Sequence, residues 1–515
     1  MKIISVETMR ELDRRTIAGG TPGRTLMERA GRGLCEALLR FRARTGPAHC
    51  RRVAVLAGKG NNGGDGYVVA RLLATETKIP VTVYTVCPTD ELTGDARANA
   101  NDLPPNVPVV VTVDRLPDEA LQPGTLLVDG LLGTGISGPL RPPFDTIIGQ
   151  INASSCPAIA IDIPSGLNGD SGKIATAAVQ ADLTVTMAAP KTGLLTQTGQ
   201  ARCGRLRCVD IGVPSNMLAE APAAGEATFA SDVRSVLGRR PNEAHKKTFG
   251  RVLVAGGSVD YVGAPILTGA AVLQSGAGLS TVALPRTARH LVAPSQYALI
   301  LRAIEDDGEG FFGAASLHGV RNLAQHADAA VVGPGIGLCG NHTPLLQEML
   351  NWDLPLVVDA DALKVLAQLD AGKLERSAPS VLTPHPGEMK ILLEGFGLND
   401  LISASRTEQA VGLARQTGAF VVLKGMGTVV AAPDGWHAIN TSGTNGLASG
   451  GTGDVLSGLI AGLLAQQFAP RDACRAAVFI HGRAAEIAPA GDRALTADGL
   501  LELIGPALRE LTPFA

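Results

Sequence analysis

A glycine-rich segment in the first half of the sequence carries side chains that could bind a ligand. The segment GKGNNGGDG places Asn61, Asn62 and Asp65 among five glycines, between an apolar run and a stretch with helical spacing. Its successive backbone N–H groups could bind an anion, assisted by the dipole of the following helix. Because a plain tight turn does not need three side-chain oxygens, the pattern favours a ligand-binding loop over a structural turn.

Three more polar residues follow strand-like runs in the same half. Asp129 ends one apolar run, and Asp162 and Ser165 lie at the end of the next apolar run. Ligand-facing residues collect at the carboxyl ends of parallel strands, so these three residues and Asn62 are predicted to share one polar pocket. Oxygen donors alone would suit a hard cation better than zinc or copper. A purely structural role for each strand-end Asp is the alternative.

Two segments match the dinucleotide fingerprint G-x-G-x-x-G, but their flanks argue against a Rossmann-type site for a hydride carrier. After the first, the next strand-like run ends at 86–88 without the acidic residue that would bind a ribose. After the second, DGLLGTGISGP, the prolines at 139, 142 and 143 stand where a helix should begin.

The second half contains the longest glycine-rich segment, NTSGTNGLASGGTGDVL, over residues 440–456. Its GGTG portion leads into a helix predicted to begin near Asp454, where backbone N–H groups and the helix dipole could bind phosphate oxygens. Asp454 is expected to stay ionised there, as a general base for an alcohol must, and a simple helix cap is the alternative. Since the sequence has no Walker A motif, this pattern indicates nucleotide chemistry without a P-loop.

Three shorter segments of the second half would accompany this loop. GGS at 256–258 and GPGIG at 333–337 each follow a strand-like run, and TPHPGE at 383–388 holds His385 between two prolines. A histidine in a turn is usually only solvated. The position of His385 at a strand end, beside the other loops of this half, favours a functional role.

The elements that must position these residues form an α/β pattern in both halves. Short β-branched runs alternate with helix-like stretches, which favours largely parallel sheets. Helices are predicted over 66–76 and around 144–151, and a hairpin over 420–431. Buried strands are predicted at 53–57, 81–86, 109–113, 126–129, 158–163, 183–187, 206–209, 251–255, 279–283, 329–332, 356–359, 381–383, 420–423 and 428–431.

The chain is long enough for two domains, with 515 residues against about 100–200 for a typical domain. Residues 214–245 break the α/β pattern and are small and rich in Pro and Ala, which is typical of a linker. We therefore expect a first domain over 1–218, a linker over 219–245 and a second domain over 246–515.

Composition excludes several classes of function. The net charge of −3 and the 3% of aromatic residues give no support for nucleic-acid binding. No apolar run is long enough to span a membrane, so no membrane partner is expected. The eight cysteines contain no C-x-x-C pair, which argues against a disulfide scaffold or zinc ribbon and favours a reducing, cytoplasmic location.

Long motifs in both halves resemble one family, the bifunctional NAD(P)H-hydrate repair enzymes. GKGNNGGDG, DGLLGTGISGPL and AIDIPSGLNGD resemble the NAD(P)HX epimerase domain. HKKTFGRVLVAGGS, VVGPGIG, DADAL, TPHPGE, KGMGT and NGLASGGTGDVLSG resemble the ADP-dependent NAD(P)HX dehydratase of the ribokinase-like superfamily. The resemblance implies a Rossmann-like three-layer domain with a parallel-rich sheet, followed by a ribokinase-like α/β domain.

The resemblance also implies a repair cycle for damaged nicotinamide nucleotides. NADH and NADPH become hydrated to the R and S forms of NADHX and NADPHX, and the first domain would interconvert these epimers. The second domain would dehydrate the S form to NAD(P)H while ADP is split into AMP and phosphate. The family implies K⁺ in the epimerase domain and Mg²⁺ with ADP in the dehydratase domain, and a homo-oligomer.

Site residues of the family carry over to matching positions of the first half. Asp162 is predicted to be the acid–base group of epimerisation. The potassium ligands fall on Asn62, Asp129 and Ser165. The substrate contacts fall on Asn61, Asn62, Gly63, Gly64, Asp65, Gly133, Thr134, Gly135, Ile136, Ser137, Gly138, Pro139 and Asp162.

In the second half, Asp454 matches the residue next to the ring hydroxyl and is predicted to be the catalytic base. The substrate positions of the family fall on Ala264, Gly335, His385 and Asp454. The adenine-nucleotide positions fall on Lys424, Gly425, Met426, Gly427, Thr428 and Gly453.

Two positions depart from the family pattern. Lys364 stands where Asn usually follows DADAL, and Thr444 replaces the more usual arrangement beside Asn445. The main alternative function is a ribokinase-superfamily small-molecule kinase, which keeps the phosphate on its product, fused to a non-catalytic nucleotide-binding domain. The GTGD loop suits either function, whereas TPHPGE and the first half favour repair.

Overall fold

The computed structural model describes residues 1–112, 114–136, 138–292, 298–306, 308–369, 374, 376–489 and 491–512. The chain divides into two compact units, Met1–Ala227 and Thr228–Ala515. Within the described residues, no helix combines the length and the apolar character needed to cross a bilayer.

The first unit alternates strands and helices along the chain. Its main sheet has the order β4-β3-β2-β5-β6-β7-β8 with parallel neighbours throughout, and the short β1 pairs antiparallel with β9. The elements are β1 (Lys2–Ile3), α1 (Val6–Ala18), α2 (Gly23–Thr45), β2 (Arg52–Ala57), α3 (Asn61–Glu76), β3 (Val81–Thr85), α4 (Gly94–Asn101), β4 (Val109–Val111), β5 (Thr125–Gly130), α5 (Phe144–Ala153), β6 (Ala158–Ile161), β7 (Leu183–Met187), α6 (Gln197–Cys203), β8 (Arg205–Val209), α7 (Ser215–Glu220) and β9 (Gly225–Thr228).

Both faces of this sheet are covered, as the alternation along β2 shows. Val53, Val55 and Ala57 join a core with α1, α2 and α3, while Ala54 and Leu56 join a second core with α5. Successive side chains of a strand point to opposite faces, so a continuously apolar strand is what a sheet buried on both sides requires. The expected three-layer α/β architecture is confirmed.

Glycine lets α3 begin directly against the ends of two strands. A Cβ on Gly58 would lie 1.8 Å from the carbonyl oxygen of Leu131, and one on Gly63 would lie 2.0 Å from the carbonyl oxygen of Gly58. Only glycine permits this approach of backbone to backbone. As a result the first turn of α3, with Asn61 and Asn62, lies at the carboxyl end of β2.

The second unit continues the α/β alternation. Its elements are α8 (Ala230–Val236), β10 (Arg251–Ala255), α9 (Gly263–Gln274), β11 (Leu279–Pro285), α10 (Arg286–Arg289), β12 (Ile300–Ile304), α11 (Leu317–Ala324), β13 (Ala329–Val332), α12 (Thr343–Leu350), β14 (Leu356–Val358), α13 (Asp361–Leu366), β15 (Ser380–Leu382), α14 (Pro386–Gly395), α15 (Arg406–Thr417), β16 (Phe420–Leu423), β17 (Val429–Ala431), β18 (His437–Asn440), α16 (Thr452–Ala465), α17 (Pro470–Glu486) and α18 (Ala497–Leu511).

The strands of the second unit follow the order β18-β17-β16-β15-β14-β13-β10-β11-β12. They are parallel from β12 to β16, whereas β17 pairs antiparallel with both β16 and β18. The predicted hairpin of β16 and β17 is therefore confirmed, and so is the α/β class of this half. The strands β12 and β18 are not predicted from the sequence, because ILRAI and HAIN carry polar residues inside short runs.

Helix α16 packs closely against α9, and this contact sets the position of Asp454. A Cβ on Gly458 would lie 2.2 Å from the carbonyl oxygen of Thr268, and one on Gly462 would lie 2.0 Å from Oγ of Ser275. Small residues on α16 thus allow the two helices to approach closely and fix the direction of its first turn.

Three expectations about the elements are wrong. The strand expected to be buried at 109–113 is an edge strand whose Val109, Val110 and Val111 are 38–44% exposed, and position 113 lies outside the described residues. The helix expected from residue 66 begins at Asn61, since Gly60 already provides its N-cap. The expected linker contains part of α7 together with β9 and α8, because its apolar residues Ala227 and Val233 are buried.

Candidate functional site

A cavity of about 810 Å³ opens at the carboxyl edge of the first unit's sheet. Its walls come from α1, from the first turns of α3, from the loop after β5 and from the residues after β6 and β7. Ligand sites of parallel α/β sheets lie at this edge. Of the predicted substrate positions, the cavity wall includes Asn61, Asn62, Asp65, Gly133, Thr134, Gly135, Ile136, Pro139 and Asp162.

The other predicted contacts of this half are placed differently. Gly63 packs against the backbone of Gly58, and a Cβ on Gly64 would lie 2.7 Å from Sδ of Met27. Gly138 has a φ of +79°, which favours glycine. Ser137 lies outside the described residues.

Asp162 stands directly after β6 in a strained backbone conformation, with a φ of +59°. Its Oδ1 accepts hydrogen bonds from Oγ1 of Thr186 and from the backbone N–H of Met187, both at 3.0 Å, and from Nζ of Lys191. Three donors on one oxygen suit a carboxylate and hold it in place.

Lys191 is a fully buried cation that contacts Asp162. Besides Asp162, its Nζ donates to Oγ1 of Thr186 at 3.2 Å and to the carbonyl oxygen of Met187 at 3.0 Å. Burial, followed by the charges of Asp162 and Asp13, raises the pKa of Asp65 well above its usual value despite Lys191. Burial of Asp65 among these neighbours therefore disfavours its charged form, although Lys191 lies near.

The three predicted cation ligands meet beside the cavity. Oγ of Ser165 donates to Oδ1 of Asp129 at 2.6 Å, and the Ser165 N–H donates to Oδ2 of Asp129 at 2.8 Å. Nδ2 of Asn62 and Oγ of Ser165 both contact the carbonyl oxygen of Leu132, at 2.9 and 3.2 Å. Burial raises the pKa of Asp129 to about 6 in spite of its hydrogen bonds. A bound cation would relieve this penalty, and the oxygen donors suit a hard ion.

In the second unit, a buried ion pair joins two loops at the carboxyl edge of the sheet. Nζ of Lys424 donates to Oδ1 of Asp359 at 2.9 Å, and Thr383 and Ser457 donate their hydroxyls to the same carboxylate. Burial opposes ionisation, but Lys424 and the hydroxyls outweigh it and hold the pKa of Asp359 below its usual value. Lys424 also lies 3.9 Å from Oε2 of Glu388.

Asp454 lies in the first turn of α16, close to this ion pair. Burial, and then the charge of Asp359, raise its pKa to about 7, while Lys424 opposes the shift. The expectation that Asp454 simply stays ionised is wrong near neutral pH, because burial and the charge of Asp359 outweigh Lys424. A pKa near neutrality suits a group that must take up a proton from an alcohol.

The predicted nucleotide loop, Lys424–Thr428, is held by a residue that the motifs do not reveal. The guanidinium of Arg406 donates to the carbonyl oxygens of Met426, Leu423 and Lys424, the latter two at 2.9 and 3.0 Å. Gly425 and Gly427 have φ values of +141° and +59°. A Cβ on Gly453 would lie 3.4 Å from Nζ of Lys424, so the loop and the start of α16 meet at the lysine.

His385 caps α14 instead of standing free in a turn. Its Nδ1 accepts from the N–H groups of Gly387 and Glu388, at 3.0 and 3.2 Å, while Oε2 of Glu388 accepts from its backbone N–H at 2.8 Å. Nε2 of His385 lies 3.3 Å from Oε1 of Glu388, and the imidazole is 55% exposed. His385, Glu388 and Lys424 thus form a series of neighbouring polar side chains.

Ala264 and Gly335, the remaining predicted substrate positions, are neighbours. A Cβ on Gly335 would lie 3.2 Å from Cβ of Ala264 and 2.6 Å from the carbonyl oxygen of Tyr261. Gly333, on the same loop, approaches Asp359 so closely that a Cβ would lie 1.9 Å from its carbonyl oxygen. The loop after β13 therefore connects these positions with the ion pair.

His481 of α17 is a further buried residue at this site. Its Nε2 lies 2.8 Å from the carbonyl oxygen of Thr452, and burial lowers its pKa to about 4. The neutral imidazole donates to this carbonyl and holds the start of α16. Asp359, Glu388, Arg406 and His481 in this unit, and Asp13 and Lys191 in the first, are absent from the predicted sets. The signal that could have identified Asp359 is its position at the end of an apolar run, because the same position predicts Asp129.

The two departures from the family pattern have local explanations. Nζ of Lys364 donates to Oδ1 of Asp361 at 2.9 Å, three residues earlier on α13. Oγ1 of Thr444 accepts from the N–H of Gly446 at 3.2 Å and caps a short helical turn.

Comparison with known proteins covers nearly the whole chain. Residues 23–193 match the family model described as YjeF-related protein N-terminus, and residues 252–505 match the one described as NAD(P)H-hydrate dehydratase. A bifunctional NAD(P)H-hydrate repair enzyme from Salinibacter ruber is 38% identical, over 98% of this chain and 95% of that protein. One from Moorella thermoacetica is 36% identical, over 99% and 97%.

A solved structure also matches part of the chain. The ADP/ATP-dependent NAD(P)H-hydrate dehydratase from Bacillus subtilis, co-crystallised with ATP and Mg²⁺, is 30% identical, with 56% of this chain and 99% of that one covered and a TM-score of 0.48. The two relatives cover both units at once, and their identity exceeds what fold similarity alone produces. The chain belongs to the bifunctional NAD(P)H-hydrate repair enzymes.

Proposed function

We propose that each unit performs one step in the repair of hydrated nicotinamide nucleotides. The first unit epimerises the R and S forms of NADHX and NADPHX. The second, of ribokinase-like fold, dehydrates the S form to NADH or NADPH while ADP is split into AMP and phosphate. The observation that carries this proposal is the similarity of both units together to the repair enzymes, over 98% of this chain.

The cavity of the first unit suits an acid–base reaction on an uncharged ring. Asp162 would exchange a proton with the substrate, and Lys191 keeps this carboxylate in position. Asn62, Asp129 and Ser165 would hold K⁺, whose charge would stabilise anionic groups of the dinucleotide. Predicted contacts with the substrate are Asn61–Asp65 and Gly133–Pro139.

The site of the second unit suits phosphoryl transfer to an alcohol. Asp454 would take the proton of the ring hydroxyl, whose oxygen attacks the terminal phosphorus of ADP and displaces AMP. Phosphate is then a better leaving group than hydroxide, and its departure, together with loss of a proton from the neighbouring ring carbon to solvent, restores the ring double bond. Lys424, Gly453 and the loop up to Thr428 would bind the nucleotide, while Ala264, Gly335 and His385 would contact the substrate. Mg²⁺ bound with the nucleotide would offset the charge of the transferring phosphoryl group.

Purified protein and enzymatically prepared NADHX test the proposal. With K⁺, Mg²⁺ and ADP, we expect the whole R and S mixture to return to NADH, with one AMP formed per NADH. The matched control omits ADP, and then only the ratio of epimers should change. Phosphorylation of another alcohol with no loss of NADHX, with either ADP or ATP, would contradict repair and favour the kinase alternative.

Two properties stay predictions of this proposal. The first is a homo-oligomer, which sedimentation of the purified chain would test. A cytoplasmic location accords with the substrates, which arise where NADH and NADPH are used.

A further inference from the structure

The wall that α1 presents to the cavity of the first unit contains a carboxyl group outside the family motifs. Val6, Met9, Arg10, Asp13 and Ile17 all line the cavity. Apart from the neighbours Met9 and Arg10, successive members of this set are three or four residues apart, which places them along one side of the helix. Asp13 is the one carboxyl group among these five residues, so α1 directs a proton donor or acceptor into the substrate space.

The side chain of Asp13 has one oxygen whose hydrogen-bonding capacity is unsatisfied. Its Oδ1 is buried and has no hydrogen-bond partner among the described residues. Burial raises its pKa to about 6, with Asp162 reinforcing the shift and Lys191 opposing it. A buried polar atom without a partner is costly, so the hydroxyl group of a bound substrate would complete this site.

Asp162 differs from Asp13 in its hydrogen bonds. Its Oδ1 accepts from Thr186, Met187 and Lys191, whereas Oδ1 of Asp13 has no such partner among the described residues. The two carboxyl groups come from different elements, α1 and the end of β6, and both line the cavity. One is thus held in place by three donors, and the other is left to hydrogen-bond a ligand.

Inversion of a hydroxyl-bearing carbon requires two such groups. Water adds to an enamine double bond at the carbon next to nitrogen, so the ring nitrogen of the substrate can assist the loss of that hydroxyl. The C–O bond breaks with its electron pair on oxygen, which takes a proton from an acid and leaves as water, while the nitrogen lone pair forms a C=N bond. A water molecule then adds to the opposite face and gives a proton to a base, so no proton or electron is consumed.

We propose that Asp13 is the second acid–base residue of epimerisation, paired with Asp162 on the other side of the ring. In one direction Asp13 protonates the departing hydroxyl and Asp162 deprotonates the incoming water. In the reverse direction the roles exchange. The proposal rests on the proposed epimerase function and adds a residue that lies before residue 23, where the match to the family model begins.

The test compares Asp13→Asn with Glu11→Gln in the full-length chain. Asn keeps the shape of the Asp side chain but cannot exchange the proton. Glu11 lies on the same helix, exposed and paired with Arg14 at 2.7 Å, so its variant controls for changes on α1. We expect Asp13→Asn to slow epimerisation by about 100-fold or more, while Glu11→Gln stays within twofold of wild type and both keep the wild-type dehydration rate on S-NADHX.

The pH dependence separates catalysis from a structural role. At saturating K⁺, the epimerisation kcat/KM of wild type should show a limb near pH 6 that Asp13→Asn lacks. The charged groups that share the cavity with Asp13 are Arg10 on its own helix, then Lys59, Asp65, Asp95, Arg141, Asp162 and Lys191. Burial, followed by the charges of Asp162 and Asp13, raises the pKa of Asp65 well above its usual value.

Thermal unfolding completes the experiment. Burial raises the folded-state pKa of Asp13 to about 6, so its ionisation costs stability as the pH rises through about 6. Asp13→Asn should therefore melt at the same or a higher temperature than wild type at pH 8. A lower melting temperature with lost activity would assign Asp13 a structural role and overturn the proposal. Epimerisation by Asp13→Asn within twofold of wild type would also overturn it, whereas a wild-type chain that does not epimerise would contradict the proposed function itself.

Discussion

Each unit places one buried lysine near three carboxyl groups at the carboxyl edge of its sheet, but the two lysines are used differently. Nζ of Lys191 donates to Asp162, Thr186 and the carbonyl oxygen of Met187, which occupies all three of its protons. Nζ of Lys424 donates to Asp359 and also lies beside Gly453 at the start of α16. The first lysine is therefore committed to the protein, and the second remains available to an anion.

This difference explains why the same residue types can support two reactions. A lysine with all its donors satisfied by the protein positions one carboxylate, while burial raises the pKa values of the carboxyl groups of Asp13 and Asp65. A lysine that meets a glycine-rich helix start adds its charge to backbone N–H groups, an arrangement suited to phosphate oxygens. The first arrangement moves protons, and the second also moves a phosphoryl group.

The largest effect should come from Asp454→Asn, which removes the base of the second site. Dehydration should fall by about 10²–10⁴-fold, because proton removal from the hydroxyl loses its acceptor. ADP binding, measured by calorimetry, should stay within a few-fold of wild type. In wild type, dehydration should decline as the pH falls below about 7, since only the ionised carboxylate is a base and the pKa of Asp454 is raised to about 7. Retained turnover in the variant would refute this assignment.

Epimerisation in the same Asp454→Asn chain is the matched control, because it depends on the first unit. A loss of both activities would mean that the substitution disturbs the protein beyond the second site.

The next effect should come from Asp162→Asn, which removes the positioned carboxylate of the first site. Asn tolerates the positive φ of this residue better than most side chains, so the backbone should be kept. We expect epimerisation to fall by about 100-fold, with dehydration of S-NADHX unchanged. The measurement follows consumption of the R epimer above its spontaneous rate. Equal consumption by wild type and variant would mean that Asp162 is not catalytic and that Lys191 serves only the fold.

The smallest effect should come from Asp129→Asn, which alters the predicted potassium site beside the cavity. Removing one charge of the ligand set should weaken cation binding, so epimerisation should need about tenfold more K⁺. Asp182→Asn is the control, because that exposed carboxylate accepts from the N–H of Ala158 at the opposite edge of the sheet. A K⁺ dependence shared by wild type and Asp129→Asn would show that the cation binds elsewhere.

Much of the candidate site could be predicted because its residues follow strands in sequence. Asn62, Asp129 and Ser165 lie at or soon after the carboxyl ends of three strands, and a parallel sheet brings such ends together. Asp13 and Lys191 could not be predicted in this way. Asp13 belongs to a helix whose pattern shows only an apolar side, and Lys191 looks like any solvated lysine until the burial of its whole side chain is known.

Other errors have the same origin in tertiary context. Val109–Val111 have the composition of a buried strand, yet their exposure follows from the edge position of β4 in the sheet. The residues expected to form a linker contain β9 and α8 because some of their apolar side chains, such as Ala227 and Val233, are buried.

The sequence by itself determined the α/β class, the two-unit organisation and the loops that carry the chemistry, because hydrophobic periodicity and glycine spacing are local properties of the chain. Only the tertiary structure decided which carboxyl groups hold protons. A pKa depends on burial and on charges from distant segments, as the contrast between Asp359 and Asp454 shows: both lie near Lys424, but their pKa values shift in opposite directions.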